Sequence, residues 1–186
     1  MPRLQKLIVI MMSLALLLLP AGCGPQVANQ VPATEDAEPA GHFFEQVYEN
    51  VSFNLAFSYP EQWQVMSEKV KDGVLTLTLE QVGGSASLVL TVLGGEMTEA
   101  ELVKNGEELL ARSLFQPRLP AERVKKQLSG RLVNFLATEA GERDRVSART
   151  AVFAKDGNSH FLTLMAKPGA FPEANETLEL IVSGMK

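Results

Sequence analysis

The sequence predicts an α+β fold in which an antiparallel sheet of about six or seven strands has helices packed on its faces. Several short segments alternate apolar and polar residues, which is the pattern of half-buried strands. Turn signals such as Asp-Gly separate many of these segments, and strands joined by tight turns are antiparallel. Two longer stretches carry apolar residues at helical spacing. Together these features are typical of helices packed against an antiparallel sheet.

The first predicted strands lie between residues 53 and 93. Phe53 to Tyr59 alternates large apolar residues with small or polar ones, and Pro60 ends this strand. Trp63 to Met66 begins a further short extended piece. The remaining signals are a turn at Lys71–Gly73, a strictly alternating strand over Val74–Glu80, a break at Gly83–Ser85 and a strand over Ala86–Leu93 that is apolar on both faces, as central strands are.

Two helices are predicted, each with its own boundary signals. Thr98 and Glu101 have the spacing of a capping box, so a helix should begin there and run to about Phe115. Pro117 and Pro120 close it. Its apolar side contains Leu102, Val103, Leu109, Leu110 and Leu114. Pro172 suits the first turn of a second helix, whose apolar stripe is Leu178, Ile181 and Val182 and whose cap is Gly184.

The remaining strands lie between the two helices. Leu132 to Ala140 is a predicted strand, followed by a charged turn over Gly141–Asp144. Val146 to Ala154 and Phe161 to Ala166 are two further strands, joined around Asp156-Gly157. Asp-Gly is a strong signal for a short hairpin loop.

The amino-terminal 22 residues form a predicted processing segment. Arg3 and Lys6 precede an apolar run of 13 residues, which is shorter than the roughly 20 residues needed to span a bilayer. The run ends in Leu19-Pro20-Ala21-Gly22-Cys23, which resembles the lipobox of bacterial lipoproteins, although Pro20 occupies the usual leucine position. The resemblance implies that the Cys23 thiol takes a diacylglycerol before cleavage and anchors the protein on the extracytoplasmic side of the cell membrane. The alternative is a free thiol.

The predicted mature chain has three parts in keeping with an anchored protein. Cys23 carries the lipid, and residues 24–41, rich in Pro, Ala, Glu and Gln, form a disordered tether that ends at a globular domain over residues 42–186. Removal of Arg3 and Lys6 takes the formal charge from −5 to −7. Such an acidic protein is a poor candidate for binding nucleic acid. Cys23 is the single cysteine, so no internal disulfide can form.

The globular part resembles the PsbP-like superfamily. The stretch FNLAFSYPEQWQV, from Phe53 to Val65, is similar to the family's opening, in which a strand ends in Tyr-Pro and a tryptophan begins the next strand. The order of elements also agrees, as do a return strand near Val146–Phe153 and a tail over Ile181–Met185. The resemblance implies an α/β/α sandwich and a non-enzymatic accessory or assembly module that binds protein partners. Tyr59, Pro60 and Trp63 transfer only as markers of the fold.

Catalytic and metal-binding patterns are weak. Gly83-Gly84-Ser85-Ala86-Ser87 is one residue short of a nucleophile elbow, and it leads into a predicted strand rather than a helix. The histidines are His42, at the tether boundary, and His160, at the start of a strand. A metal site would need at least three clustered ligands. We therefore predict no catalytic residues, no metal and no cofactor.

One segment departs from the acidic character of the chain. Between residues 118 and 131, five basic residues face one Glu, for a net charge of +4. They are candidates to contact anionic lipid headgroups or an acidic patch on a partner, and the alternative is a solvated loop. The basic residues are Arg118, Arg123, Lys125, Lys126 and Arg131.

These observations predict a membrane-anchored lipoprotein that acts as a non-catalytic binding or assembly module for a membrane or envelope protein. A lipid anchor raises the local concentration of a weak binder near its partner. Two alternatives stay open. One is a lipoprotein hydrolase that uses Ser85, with His160 and an acid beside it, or a pair of carboxylates. The other is capture of a small apolar ligand between sheet and helix.

Overall fold

The computed structural model describes residues 45–114, 116–139 and 146–186. Their regular elements are nine strands, two α-helices and one 3₁₀ turn at Val51–Phe53. The strands are β1 (Glu45–Asn50), β2 (Leu55–Pro60), β3 (Trp63–Lys71), β4 (Val74–Gln81), β5 (Ala86–Gly94), β6 (Glu122–Leu128), β7 (Arg131–Glu139), β8 (Ser147–Lys155) and β9 (Asn158–Ala166), and the helices are α1 (Glu99–Ser113) and α2 (Phe171–Gly184).

Seven of the strands form one antiparallel sheet in the order β3-β4-β5-β9-β8-β7-β6. The chain builds β3 to β5 as a meander at one side and β6 to β9 as a meander at the other, and β9 joins the two by pairing with β5. β1 and β2 form a separate antiparallel hairpin. The predicted fold class and a main sheet of seven strands are therefore confirmed.

The predicted turns at Asp72-Gly73 and Asp156-Gly157 are confirmed by their backbone angles. Asp72 and Gly73 have φ values of 51° and 76°, and Asp156 and Gly157 have 51° and 78°. Two successive residues with positive φ form the turn that matches the twist of a two-residue hairpin, and Asp-Gly tolerates it best. These dipeptides fix the pairing registers of β3 with β4 and of β8 with β9.

The alternating side chains of the sheet supply two separate cores. On one face, which we call the α2 face, the buried residues of β4 and β5 pack with α2 and with the β1–β2 hairpin. On the other, the α1 face, residues of β7, β8 and β9 pack under α1. Helices on both faces agree with the predicted sandwich. The α2-face core includes Leu75, Leu77, Leu79, Leu88, Leu90, Phe135, Phe153, Leu162, Leu178 and Ile181.

α1 begins at the predicted capping box and lies close against the sheet. The Thr98 hydroxyl accepts from the Glu101 backbone N–H, and the Glu101 carboxylate accepts from the Thr98 N–H. Gly106 faces the sheet: a Cβ placed there would lie 2.7 Å from Leu136 Cδ1 and 2.8 Å from Val152 Cγ1. The missing side chain is what allows this approach.

The structure also corrects several boundaries. β1 was not predicted, β3 is nine residues long rather than a short piece, and the basic segment that could have been a loop contains β6. α1 ends at Ser113, and Gly184 is the last residue of α2 rather than its cap. Gly141–Asp144, the leader and the tether lie outside the described residues. Neither described helix is long and apolar enough to cross a membrane.

Candidate interaction surface

Three of the five basic residues lie on the edge strand β6, whose alternation divides their charges between the two faces of the sheet, while Arg118 precedes β6 and Arg131 begins β7. Arg123 pairs with Leu136, which belongs to the α1-face core, and Lys125 pairs with Asn134 two residues along. Lys126, the residue after Lys125, points to the opposite side of the sheet, the α2 face, where its Nζ is 6.0 Å from the ring centre of Phe135. The five basic residues therefore do not form one continuous patch.

On the α1 face the basic residues hold the first turn of α1. The Glu99 carboxylate accepts from Lys125 Nζ at 2.6 Å and also pairs with the Arg123 guanidinium. The bond from Lys125 is the main cause of a lowered pKa at Glu99. Arg123 also donates to Asn134 Oδ1, at 3.0 Å from Nε and 2.8 Å from Nη2. The edge of the sheet is thereby tied to the helix above it.

On the α2 face a single carboxylate collects two cations. Glu179 accepts from Lys126 Nζ at 2.7 and 2.9 Å and from Arg149 Nη1 at 3.1 Å. Arg149 also stacks over Phe135, with 4.2 Å between the guanidinium carbon and the ring centre. Burial raises the pKa of Glu179, but the two cations outweigh that effect and hold it below its usual value.

Arg131 and Arg118 have different surroundings. Arg131 donates to the Met185 carbonyl at 2.6 Å and to the Val182 carbonyl at 3.4 Å, where a cation suits the end of a helix. Burial lowers the pKa of its guanidinium. The side chain of Arg118 is 80% exposed, and the Glu139 carboxylate lies 3.9 Å away. Contact of this segment with anionic headgroups or a partner stays a prediction, for which Arg118 is the most accessible member.

Ser85 and His160 lie at opposite ends of the paired strands β5 and β9. Ser85 immediately precedes Ala86, which pairs with Ala166, whereas His160 pairs with Val92. Six residues of strand separate these two pairs, which is roughly 20 Å. The Ser85 hydroxyl instead lies 2.6 Å from Gln81 Oε1. A hydrolase site that combines Ser85 with His160 is therefore excluded.

His160 is a buried residue of the α2-face core. Its ring stacks on Phe153 with 5.0 Å between ring centres and an angle of 5°. Burial lowers its pKa to about 4, and the nearby cations of Lys155 and Arg131 act in the same direction. At neutral pH the ring is therefore uncharged and stacked in the core, so this side chain has a structural role. His42 and Cys23 lie outside the described residues.

An open cleft of about 490 Å³ lies where the end of β7 meets the start of β8. Arg118, Glu122 and Glu139 contribute charges of both signs to its lining. Phe171, at the start of α2, contributes an aromatic wall. This mixed lining does not resemble the apolar pocket between sheet and helix that capture of an apolar ligand would need. In the described part of the chain, no group of three or more His, Asp, Glu or Cys is arranged to hold a metal ion.

The opposite edge of the sheet, β3, combines exposed apolar side chains with unpaired cations. Val65, Met66 and Val70 are 39%, 53% and 58% exposed. Lys69 and Lys71 are exposed, and neither forms an ion pair with another described residue. This contrasts with β6, whose lysines and arginine pair with acidic side chains of the helices. This surface was not predicted from the sequence, because only the first four residues of β3, Trp63–Met66, were predicted as strand.

Comparisons with known proteins show the fold. No family model matches the chain, and no curated protein matches it. The solution structure of cyanobacterial PsbP (CyanoP) from Synechocystis sp. PCC 6803 matches 82% of this chain and 97% of its own, with a TM-score of 0.59 and 12% identity. LpqN of Mycobacterium tuberculosis, involved in cell envelope biogenesis, matches 78% and 91% of the two chains, with a TM-score of 0.44 and 14% identity. The CyanoP similarity confirms the predicted PsbP-like fold.

Proposed function

We propose that this chain is a membrane-anchored extracytoplasmic lipoprotein whose PsbP-like domain is a non-catalytic binding module for an envelope protein. The observation that carries the proposal is the β3 edge, where Val65, Met66 and Val70 are exposed beside two lysines that have no ion-pair partner among the described residues. Exposed apolar side chains rimmed by charge are typical of interaction sites. None of these three side chains is among the buried residues of the α2-face core.

The separation of Ser85 from His160 supports a binding role over hydrolysis. A serine nucleophile needs a base within hydrogen-bond reach, and the strand register places these two groups roughly 20 Å apart. The Ser85 hydroxyl already has a partner in Gln81. The turn that contains Ser85 connects β4 to β5.

The anchor is the part of the proposal that rests on the sequence. Cys23 follows a short apolar run with small residues before it, as in the lipobox. A polar segment of 18 residues, from Gly24 to Gly41, would then separate the lipid from the domain and allow a root-mean-square reach of roughly 20–25 Å. A weak binding surface held this close to the membrane gains effective concentration for a partner in the same envelope.

Two measurements test the proposal on the full-length chain. Mass spectrometry of the protein from its native membrane should find acylated Cys23 at the amino terminus, and Cys23→Ser should abolish both the modification and the membrane association. An unmodified thiol with the leader still attached would overturn the anchor.

Site-specific crosslinking tests the surface. A photoactivatable residue at position 66 should give a defined crosslinked envelope protein in intact cells, and Lys69→Glu with Lys71→Glu should abolish that product. Lys104→Glu is a matched control, because Lys104 is an exposed lysine on α1 without an ion-pair partner among the described residues. Absence of a crosslink from position 66, or a crosslink that survives the double reversal, would overturn the assignment of β3.

A further inference from the structure

We infer that β3 accepts an extended segment of the partner protein, with alternating acidic and apolar residues, as an eighth strand of the sheet. The inference rests on the proposed function and specifies the chemistry of the partner at the same surface. It follows from three properties of β3: its position in the sheet, the side chains on each of its faces, and the charges that disfavour pairing with a second copy.

The backbone of β3 has a free side. β3 is the last strand of the sheet, it is nine residues long, and its described pairing is with β4 alone. The N–H and C=O groups on its outer side therefore have no ladder partner within the described residues. An added strand can supply those partners through main-chain hydrogen bonds, with specificity from alternate side chains.

The two faces of β3 have different chemistry. Lys69 pairs with Thr76 and Lys71 pairs with Val74, so both lysines lie on the face away from the buried leucines of β4. Val70 pairs with Leu75 and lies on the other face, at the margin of the apolar core. Because directly opposed residues of antiparallel strands share a face, the incoming strand should place carboxylates opposite the lysines and an apolar side chain opposite Val70.

Val65 lies on the same face as Val70, because it pairs with Leu79, whose side chain is in the same core as that of Leu75. Glu68 lies between them on this face, opposite Leu77, and its carboxylate accepts from Asn50 Nδ2 at 2.8 Å. A bulge between Val65 and Ser67 lies before the regular stretch, so the segment from Ser67 to Lys71 has uninterrupted register. Bulges limit indiscriminate pairing at sheet edges. Five residues of regular strand are therefore the main contact expected.

Charge disfavours a second copy of β3 as the occupant. In an antiparallel pair of two identical strands, directly opposed residues lie on the same face of the sheet. If the Ser67–Lys71 segments of two copies align fully, Lys69 of one copy lies opposite Lys69 of the other. In the neighbouring register that keeps the faces together, Lys69 lies opposite Lys71. Like charges directly opposed in a sheet are destabilising. An acidic segment removes that repulsion, so the same two lysines reject one partner and attract the other.

The test uses peptides and the full-length protein in detergent. The first peptide has seven residues and alternates glutamate with valine. The second replaces each glutamate with lysine, and the third replaces the central valine of the first peptide with proline, which cannot donate to a ladder. Binding is measured by titration, and the site is located by hydrogen exchange of the β3 amides.

The glutamate–valine peptide should bind and slow exchange in β3, whereas the lysine and proline peptides should bind at least tenfold more weakly. Lys69→Glu with Lys71→Glu should weaken binding of the first peptide about tenfold, since two exposed ion pairs contribute roughly 0.7 kcal/mol each. Lys104→Glu should leave the affinity unchanged. Circular dichroism and thermal unfolding verify that the variants are folded.

Three outcomes would overturn strand addition: no binding at about 1 mM peptide, equal binding of the glutamate and lysine peptides, or protection that maps outside β3. These results are distinguishable from failure of the proposed function. A partner that crosslinks to position 66 and depends on Lys69 and Lys71, without peptide binding, would leave the binding module in place and exclude an extended acidic strand as its ligand.

Discussion

Lys126 of β6 contacts both carboxylate oxygens of Glu179 in α2, at 2.7 and 2.9 Å, across 53 residues of sequence. Arg149 of β8 approaches the same carboxylate from the adjacent part of the sheet. The side chains of Glu179 and Arg149 are 25% and 14% exposed, so this cluster is screened by water less than an ordinary surface pair. It holds the middle of α2 over the β6–β8 half of the sheet.

Replacing Glu179 with Gln should lower the free energy of unfolding by about 1–2 kcal/mol, because Arg149 would keep its partly buried charge without a carboxylate. The folded-state pKa of Glu179 is lowered, so its stabilisation is present above the unfolded pKa of about 4.5 and is lost as the pH falls through the folded value. Urea denaturation at neutral and acidic pH measures both effects.

Glu176→Gln is the control for that experiment. Glu176 is an exposed residue one turn earlier on α2 and forms no ion pair with the described residues. Its replacement should change the free energy of unfolding by less than about 0.5 kcal/mol. Equal effects of the two substitutions would contradict a specific role for Glu179.

His160 makes the stability of the fold dependent on pH. Its pKa is about 4 when folded, against an ordinary value of 6.5, since the buried ring lies near Lys155 and Arg131. Between these two values the unfolded chain binds more protons, so stability falls as the pH is lowered from about 6.5 to about 4. The full difference corresponds to about 3 kcal/mol.

His160→Gln should remove that part of the pH dependence. Thermal unfolding of the native chain and the variant, compared at pH values between 7 and 4, measures the difference. The two curves should diverge at neutral pH, where the native ring is stacked and neutral, and converge on acidification. A constant offset between them across this range would show that protonation of His160 does not contribute.

Arg118 tests the predicted contact with anionic surfaces. The other basic residues of the segment contact α1 or α2, so reversing them would disturb the fold as well as the surface. Arg118 is 80% exposed and has Glu139 at 3.9 Å, an arrangement that contributes little to stability. Arg118→Glu should weaken binding to vesicles containing anionic lipid, at unchanged melting temperature. Unchanged vesicle binding would contradict the contact.

The strands that the sequence predicted best are those whose pattern reports burial directly. Leu75, Leu77 and Leu79 alternate with polar residues and are all buried in the α2-face core. Strands β8 and β9 are instead buried on both faces over most of their length, and the Asp-Gly pair between them is the local signal that marks their hairpin. In each case a local feature of the sequence agrees with the tertiary environment, so the strand can be predicted from sequence alone.

The edge strands were harder to predict because few of their side chains enter the core. Trp63 is the one buried residue of β3, and Tyr48 is the one buried residue of β1. The side chains that β6 directs toward the two helices are cations, and their acidic partners Glu99 and Glu179 lie far away in the sequence. Charge runs of this kind have no local feature that separates a loop from an edge strand, so the pairing became visible only in three dimensions.

Gly106 allows α1 to approach the sheet, and its replacement should be costly even though it lies inside a helix. Alanine is the better helix former by about 1 kcal/mol. At this position, however, the new Cβ would lie 2.7 Å from Leu136 and 2.8 Å from Val152, both in the core. Overpacking of this kind costs about 1–3 kcal/mol, so Gly106→Ala should give a net loss of stability in urea denaturation.

Gly184→Ala is the control for Gly106→Ala, because the same substitution at this position should not destabilise the fold. Gly184 is the last residue of α2, no atom lies within 4 Å of a Cβ placed there, and its φ is not positive. The alanine should therefore be neutral or stabilise the fold by a few tenths of a kcal/mol, through lower entropy of the unfolded chain. If both alanines stabilise the protein, α1 can move away from Leu136 and Val152 without loss, and the close approach at Gly106 does not determine how the helix packs.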